Sequence, residues 1–252
     1  MLRKTLLGLG FALALATPAK AETVDELIAK NVAARGGLDK LKAVQSMRST
    51  GKMTVGPGME APATFELKRP GKVRLDITVQ GMTLSQAYDG QKGWVINPFQ
   101  GNPNPEPMSP EDLKEAEQNA DMDGPLVDYK AKGHQVELVG KEKVEGTDAY
   151  KLKVALKNGD TLYYYLDADS YLEIKIESKR TVRGTEQQGE QTIGDYKDVG
   201  GLLIAHALEM GEKGRPEKQK VTIEKIELNV PVDDSRFAMP AAKADAPAKP
   251  KA

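Results

Sequence analysis

From Ser46 onward, apolar residues recur at every second position, the period of a β-strand with one buried face. The clearest case is the run 150–157, where Tyr150, Leu152, Val154 and Leu156 point one way and Lys151, Lys153 and Lys157 the other. Asn158-Gly159 then marks a tight hairpin, because a type I′ turn needs positive φ at both central residues. The run 161–167 carries Tyr163 and Tyr165 on one face and Leu162, Tyr164 and Leu166 on the other, so it reads as a mid-sheet strand. The run 171–180 completes a meander, with Ile174 and Ile176 inside it.

The same alternation extends both ways. Upstream, Met47, Met53 and Val55 share a face, followed by Ala61, Ala63, Phe65 and Leu67, then by Val73, Leu75, Ile77 and Val79. The runs 82–88, with Met82 and Leu84, and 92–97, with Trp94 and Ile96, follow after turns at Gly81 and Asp89-Gly90. Later strands are expected over 135–144, 190–199, 202–210 and 218–229. In the last, Val221 and Ile223 share a parity that Ile226 and Leu228 do not, which predicts a bulge or a twist near Glu224. Eleven or twelve antiparallel strands are too many for a flat sheet, so the chain should curl toward a barrel.

Two stretches change period. Thr23 and Glu26 form a capping box ahead of a helix to about Ala34, with Val24, Leu27, Ile28 and Val32 on one face, and Gly36-Gly37 ends it. A further helical turn aligns Leu38, Leu41 and Val44. The second interruption begins with 98–110, which holds five prolines and reads as a surface loop. Ser109-Pro110-Glu111-Asp112 then starts a helix to about Asn119, and a further turn is expected near 126–130. Its apolar face (Leu113, Ala116, Ala120, Leu126) is weak, which makes 98–130 a candidate lid. The expected class is mainly β with a helical plug (α+β): an unclosed antiparallel barrel of about eleven strands with helices on its concave face.

Composition narrows the setting. Arg3 and Lys4 precede an apolar run that ends at Pro18, and Ala19-Lys20-Ala21 offers small residues for cleavage, so residues 1–21 read as a signal peptide. The apolar run is shorter than the roughly 20 residues that a spanning helix needs. Residues 22–237 form one domain, and 238–252, nearly all Ala, Pro and Lys, read as a disordered tail. Removing the signal shifts the formal charge from −1 to −4, with both signs interspersed, which argues against nucleic acid as a partner. Cysteine is absent, so disulfides, thiol chemistry and lipidation of an N-terminal cysteine are excluded. An exported product without such an anchor is expected in the periplasm.

No nucleophile elbow, zinc motif, phosphate loop or dinucleotide fingerprint occurs, and no metal or cofactor is expected. Asp167-Ala168-Asp169-Ser170 is a turn and not a calcium loop. Of two histidines, His134 opens a strand at the surface, while His206 shares parity with Leu202, Ile204 and Leu208 and faces inward as a wall residue. Few Phe or Trp rings (Phe65, Trp94, Phe99) are available to fill so large a sheet, which points to an apolar concave face with adaptable methionines. Candidate lining residues are Met47, Met53, Phe65, Leu67, Leu75, Ile77, Met82, Leu84, Trp94, Ile96, Tyr150, Leu152, Val154, Ile174 and Ile176; Leu27, Ile28, Val32 and Leu113 are candidate plug residues.

Short motifs spread along the chain resemble the LolA-like family of periplasmic lipoprotein carriers. They are Gly36-Gly37-Leu38-Asp39-Lys40-Leu41, Tyr88-Asp89-Gly90 leading to Trp94 and Pro98, and Val144-Glu145-Gly146 leading to Ala149-Tyr150-Lys151-Leu152. Asp195-Tyr196-Lys197-Asp198-Val199-Gly200-Gly201-Leu202 and the ending from Asn229 to Phe237 and Pro240 complete the set. Ala205 stands where the family pattern has proline. The resemblance implies an unclosed barrel plugged by helices, acyl chains of a lipoprotein or lipid held between them, and an inner-membrane exporter or outer-membrane receptor as partner. It also implies an arginine that closes the lid, for which Arg48, Arg69 and Arg74 are candidates. The expected protein is a monomeric, non-enzymatic carrier; an envelope sensor of the same fold and an exported hydrolase are the alternatives.

Overall fold

The computed structural model describes residues 22–182 and 184–242. The expected signal peptide and residues 243–252 of the expected tail lie outside them. Thirteen strands form one antiparallel sheet in the order β6-β5-β4-β3-β2-β1-β13-β12-β11-β10-β9-β8-β7. Along the chain they are β1 (Ser46–Gly56), β2 (Met59–Lys68), β3 (Lys72–Val79), β4 (Met82–Tyr88), β5 (Gly93–Asn97), β6 (Asn102–Pro107) and β7 (Gln135–Val144). There follow β8 (Thr147–Ala155), β9 (Thr161–Asp167), β10 (Glu173–Val182), β11 (Thr185–Val199), β12 (Leu202–Glu212) and β13 (Gln219–Leu228). Strands β6 and β7 are free edges, so the barrel is unclosed. The bulge near Glu224 is present: Thr50 pairs with Lys225 and Gly51 with Ile223.

Three short helices lie on one face of the sheet: α1 (Val24–Ala34), α2 (Leu38–Ala43) and α3 (Pro110–Asn119). Thr23 caps α1 with the reciprocal Glu26 bond read from the sequence. Leu27 and Ile28 of α1 pack with Leu126 on Leu152, Val154, Leu162, Tyr164 and Leu166. Ala116, Ala120 and Leu113 of the α3 region pack on Leu67, Val73 and Tyr88. Between them Leu41 and Val44 meet Leu202, with Val32 against the same cluster. The plug residues Leu27, Ile28, Val32 and Leu113 thus all contact the concave face. The expected turn near 126–130 is a run of hydrogen-bonded turns and not a helix.

Two expectations about the 92–110 region are corrected. The proline-rich stretch is not simply a loop: it makes a one-turn 3-10 helix, Pro98–Gln100, and then edge strand β6, which pairs with β5. An edge strand has one side without ladder partners, so proline's missing N–H costs nothing there. That strand brings the count to thirteen.

Trp94 and Ile96 do not face the helices. Pairing places Trp94 with Ala87, Arg74 and Glu66 on the convex face, opposite Tyr88, Val73 and Leu67. The chain after β13 crosses that convex face and buries it. Phe237 is 0% exposed and its carbonyl accepts the Trp94 Nε1–H at 2.8 Å. Arg236 donates to Glu66 and Asp76, Arg74 to Asp76 and the Arg236 carbonyl, and Arg48 to Glu66. Alternation separates two faces but does not say which one a returning segment will cover.

Strands β12 and β13 pair only over Ala207–Met210 and Gln219–Thr222. Upstream of Ala207 the two part, and β12 meets the plug instead: Leu203 N–H donates to the Arg35 carbonyl at 3.1 Å, and Lys40 Nζ donates to the Gly201 carbonyl. Gly36 makes this approach possible. Its φ is +117°, and a Cβ there would stand 2.3 Å from the Gly201 carbonyl oxygen. Gly37, at φ +96°, has open space around it. Gly36→Ala is therefore expected to cost about 3 kcal/mol from strain and overlap together, against about 1 kcal/mol for Gly37→Ala from backbone strain alone. Urea denaturation of the two variants checks the difference.

Candidate functional site: an apolar trough and its chamber

Cross-strand pairs order the concave face into rows. The row Leu228, Met47, Leu67, Val73 and Tyr88 lies under α2, α3 and the segment between. The next holds Ile226, Ser49, Phe65 and Leu75. Two further rows lie outside all three core clusters: Ile223, Gly51, Ala63, Ile77 and Leu84, then Ile193, Leu208, Val221, Met53 and Ala61. Their large side chains are half-buried rather than enclosed. Small residues at Gly51, Ala61 and Ala63 line up between Met53, Ile77 and Ile223, so the floor is a groove with apolar flanks.

The sequence-predicted lining residues therefore divide. Met53, Leu75, Ile77 and Leu84 form the open floor, and Met82 stands at its exposed end, paired with Val79. Met47, Phe65 and Leu67 lie beneath the α3 region. Leu152, Val154, Tyr150 and Ile176 lie beneath α1. Ile174 is the extra residue of a bulge between Glu173 and Lys175, and Trp94 and Ile96 belong to the other face. Leu208, Val221 and Ile223 were legible as strand residues but not singled out; their parity break at Glu224 hid which of them continued the floor.

Where β12 and β13 part, the plug roofs a half-open chamber of about 270 Å³. Leu41, Val44, Met47, Met122, Leu126, Ile176, Ile193, Ile204 and Leu228 supply its apolar walls, and Ile193 joins it to the floor. One corner is polar. Arg35 lies 3.6 Å from Glu173, and the Tyr196 hydroxyl donates to the Glu173 carbonyl at 2.8 Å. Burial, with Glu173 close by, raises the pKa of both Tyr196 and Tyr164, so both stay protonated. His206 is buried on the concave side, its Nδ1 2.9 Å from the Ile204 carbonyl, and has no carboxylate partner among the described residues. His134 Nδ1 accepts the Lys157 N–H. Among the described residues no group of three or more His, Asp or Glu side chains is placed to hold a metal ion, and no helix is long and apolar enough to cross a membrane.

The roof is pinned at Asp123. Arg69 donates to both Asp123 oxygens, at 2.5 and 3.0 Å, and to the carbonyls of Val44 and Leu41, while Lys42 reaches Asp123 at 2.7 Å. Of the three candidate arginines, Arg69 alone binds the roof; Arg48 and Arg74 serve the convex face. Helix α3 spans the trough. It packs on β2–β4 and reaches the opposite wall through Lys114 to Asp160 at 2.6 Å and Glu115 to Arg180 at 2.9 Å.

No protein-family model matches the chain, and no curated protein matches it. Solved structures do. A LolA superfamily protein from Nitrosomonas europaea is 13% identical, with a TM-score of 0.59 over 86% of this chain and 98% of that one. A DUF1329 family protein from Desulfovibrio piger is also 13% identical, with a TM-score of 0.56 over 86% and 98%. A domain assigned to the outer membrane lipoprotein-sorting proteins, from Vibrio parahaemolyticus, is 13% identical, with a TM-score of 0.53 over 83% and 97%. The fold is that of the LolA superfamily structures, as the motifs implied.

Burial of Asp123 opposes its ionisation, but the bonds from Arg69 and Lys42 outweigh it and bring the pKa down from 3.8 to about 2. Stability from this clasp is present above the ordinary carboxylate value and is lost as pH falls toward 2. Asp123→Asn is expected to cost about 3 kcal/mol at neutral pH by leaving Arg69 without its counter-ion. The gap from the unsubstituted protein should close between about pH 4 and pH 2, which denaturation across that range would reveal.

Proposed function

We propose that the protein is a carrier that binds acyl chains of lipids or lipoproteins in the trough and moves them through the periplasm toward the outer membrane. The single observation that carries this reading is the half-buried apolar floor, which none of the described helices covers and which continues through Ile193 into the chamber. Each methylene withdrawn from water is worth about 0.8 kcal/mol, so one acyl chain laid along the floor supplies ample affinity. The likeness to LolA superfamily structures supports the same direction. The chamber lining offers one carboxylate, Glu173, already facing Arg35, which favours a binding role over an exported hydrolase.

Helix α3 is the gate in this scheme. Its apolar footing is small, with Ala116 its only fully buried residue, and its far side is held by ion pairs. Swinging it out would lengthen the open floor to include Leu67 and Val73 without disturbing α1.

Mass spectrometry of small molecules extracted from protein purified from its own periplasm is the first test. Co-purifying acyl lipids or lipopeptides are expected; an empty protein that also fails to bind a fluorescent fatty acid would sink the carrier reading. Ile223→Glu places a charge on the half-buried floor and should weaken fatty-acid binding at least about tenfold, while costing about 1–2 kcal/mol of stability. Arg180→Ala releases one end of α3 and should speed probe uptake several-fold in stopped-flow fluorescence, with equilibrium stability changed by no more than about 1 kcal/mol. Unchanged uptake would remove α3 as the gate.

A further inference from the structure

The chamber holds one polar group that the fold does not use. Tyr164 sits on β9 between Leu152 of β8 and Ile176 of β10, is 7% exposed, and lines the chamber. Its hydroxyl makes no hydrogen bond to any described residue. Tyr196, which lines the same chamber, is a contrast, because its hydroxyl is engaged by Glu173. The ring is buried, whereas the hydroxyl oxygen keeps accessible surface and stays reachable by a group that enters the chamber; phenylalanine would fill the same space without that donor.

We propose that the Tyr164 hydroxyl donates a hydrogen bond to the acyl carbonyl, ester or amide, of a bound amphiphile. This rests on the carrier reading above and names which part of the ligand the chamber reads. A carbonyl beside a long chain is the smallest acceptor that could enter with apolar walls on its other sides. A free carboxylate fits less well: it would approach Glu173, whose neighbouring cation, Arg35, is already engaged with it. Burial and the charge of Glu173 keep the Tyr164 proton in place, so the group acts as a donor. The chain would run from Tyr164 past Ile176 and Ile193, and its remainder would lie on the floor beside Leu208. A hydroxylated head would meet the Arg35–Glu173 pair at the polar corner.

The test is displacement of a fluorescent fatty acid from the full chain by three uncharged lipids of equal chain length: a 1-monoacylglycerol, an N-acylethanolamine and a 1-O-alkylglycerol. The ether differs from the ester only by the missing carbonyl. One or both carbonyl lipids should bind about five- to tenfold tighter than the ether, and Tyr164→Phe should erase that preference while leaving ether affinity unchanged. Preference for the ester points to a glycerolipid, and preference for the amide to an N-acylated protein; either supports the subsite. Equal affinity of all three for the unsubstituted protein overturns the subsite and leaves the carrier reading standing. Failure of all three to bind overturns both. Should Tyr164→Phe not fold, the ester-to-ether ratio of the unsubstituted protein still decides.

Discussion

The structure depends on the place where two neighbouring strands of the sheet part. Strands β12 and β13 share four residue pairs and then diverge, and the N–H of Leu203 is satisfied by the carbonyl that ends α1. A backbone donor at such a split must find a partner or bear the desolvation cost. By supplying it, the α1–α2 turn becomes part of the sheet's bonding and not a cover laid over it. Gly36 is what lets the helix end come that close. The position of the plug, the chamber beneath it and the roof clasped by Arg69 all follow from that contact.

The same contact divides the concave face. Near the split the helices fill the trough, and Leu27, Leu126, Leu152 and Leu166 are enclosed to the degree expected of a close-packed interior. Away from it the rows through Ile77 and Leu208 keep the composition of a core, and no second layer among the described residues completes one. On the other side of β1–β5 the returning C-terminal segment supplies such a layer, with Phe237 buried and Glu66 ringed by Arg48 and Arg236. The exposed apolar floor is therefore not a general shortage of cover in this chain. It is confined to the inside of the curl.

Much of this was legible in the alternation of residues. The capping box at Thr23, the mid-sheet character of the strand holding Tyr164, and the bulge at Glu224 each followed from local rules, and each stands in the structure. What was not legible depends on chain return. Trp94 and Ile96 lie in a short run, Trp94-Val95-Ile96, apolar on both sides, so nothing local assigned its faces; a segment more than a hundred residues later did. The prolines of β6 read as loop because the rule against proline in strands is weakest at an edge, and edge position is set by topology. Arg69 could not be separated from Arg48 and Arg74 for a related reason: its partners, Asp123 and the carbonyls of Leu41 and Val44, come from the two helical interruptions.

The unequal anchoring of the helices decides which of them can move. Helix α1 buries Leu27 completely, keeps Ile28 nearly so, and is tied to the sheet through Arg35 and to the β9–β10 turn through Asn31. Withdrawing it would expose several large side chains at about 1.5–3 kcal/mol each and leave the β12 edge unpaired. Helix α3 rests on Ala116 and its neighbours, and it meets the far wall through ion pairs in which Lys114, Arg180 and Glu115 are partly in water. The exposed Arg180–Glu115 pair contributes at most about 1 kcal/mol, and Asp160, buried while α3 is closed, meets water once it opens. Opening at α3 is thus the low-cost motion and opening at α1 is not.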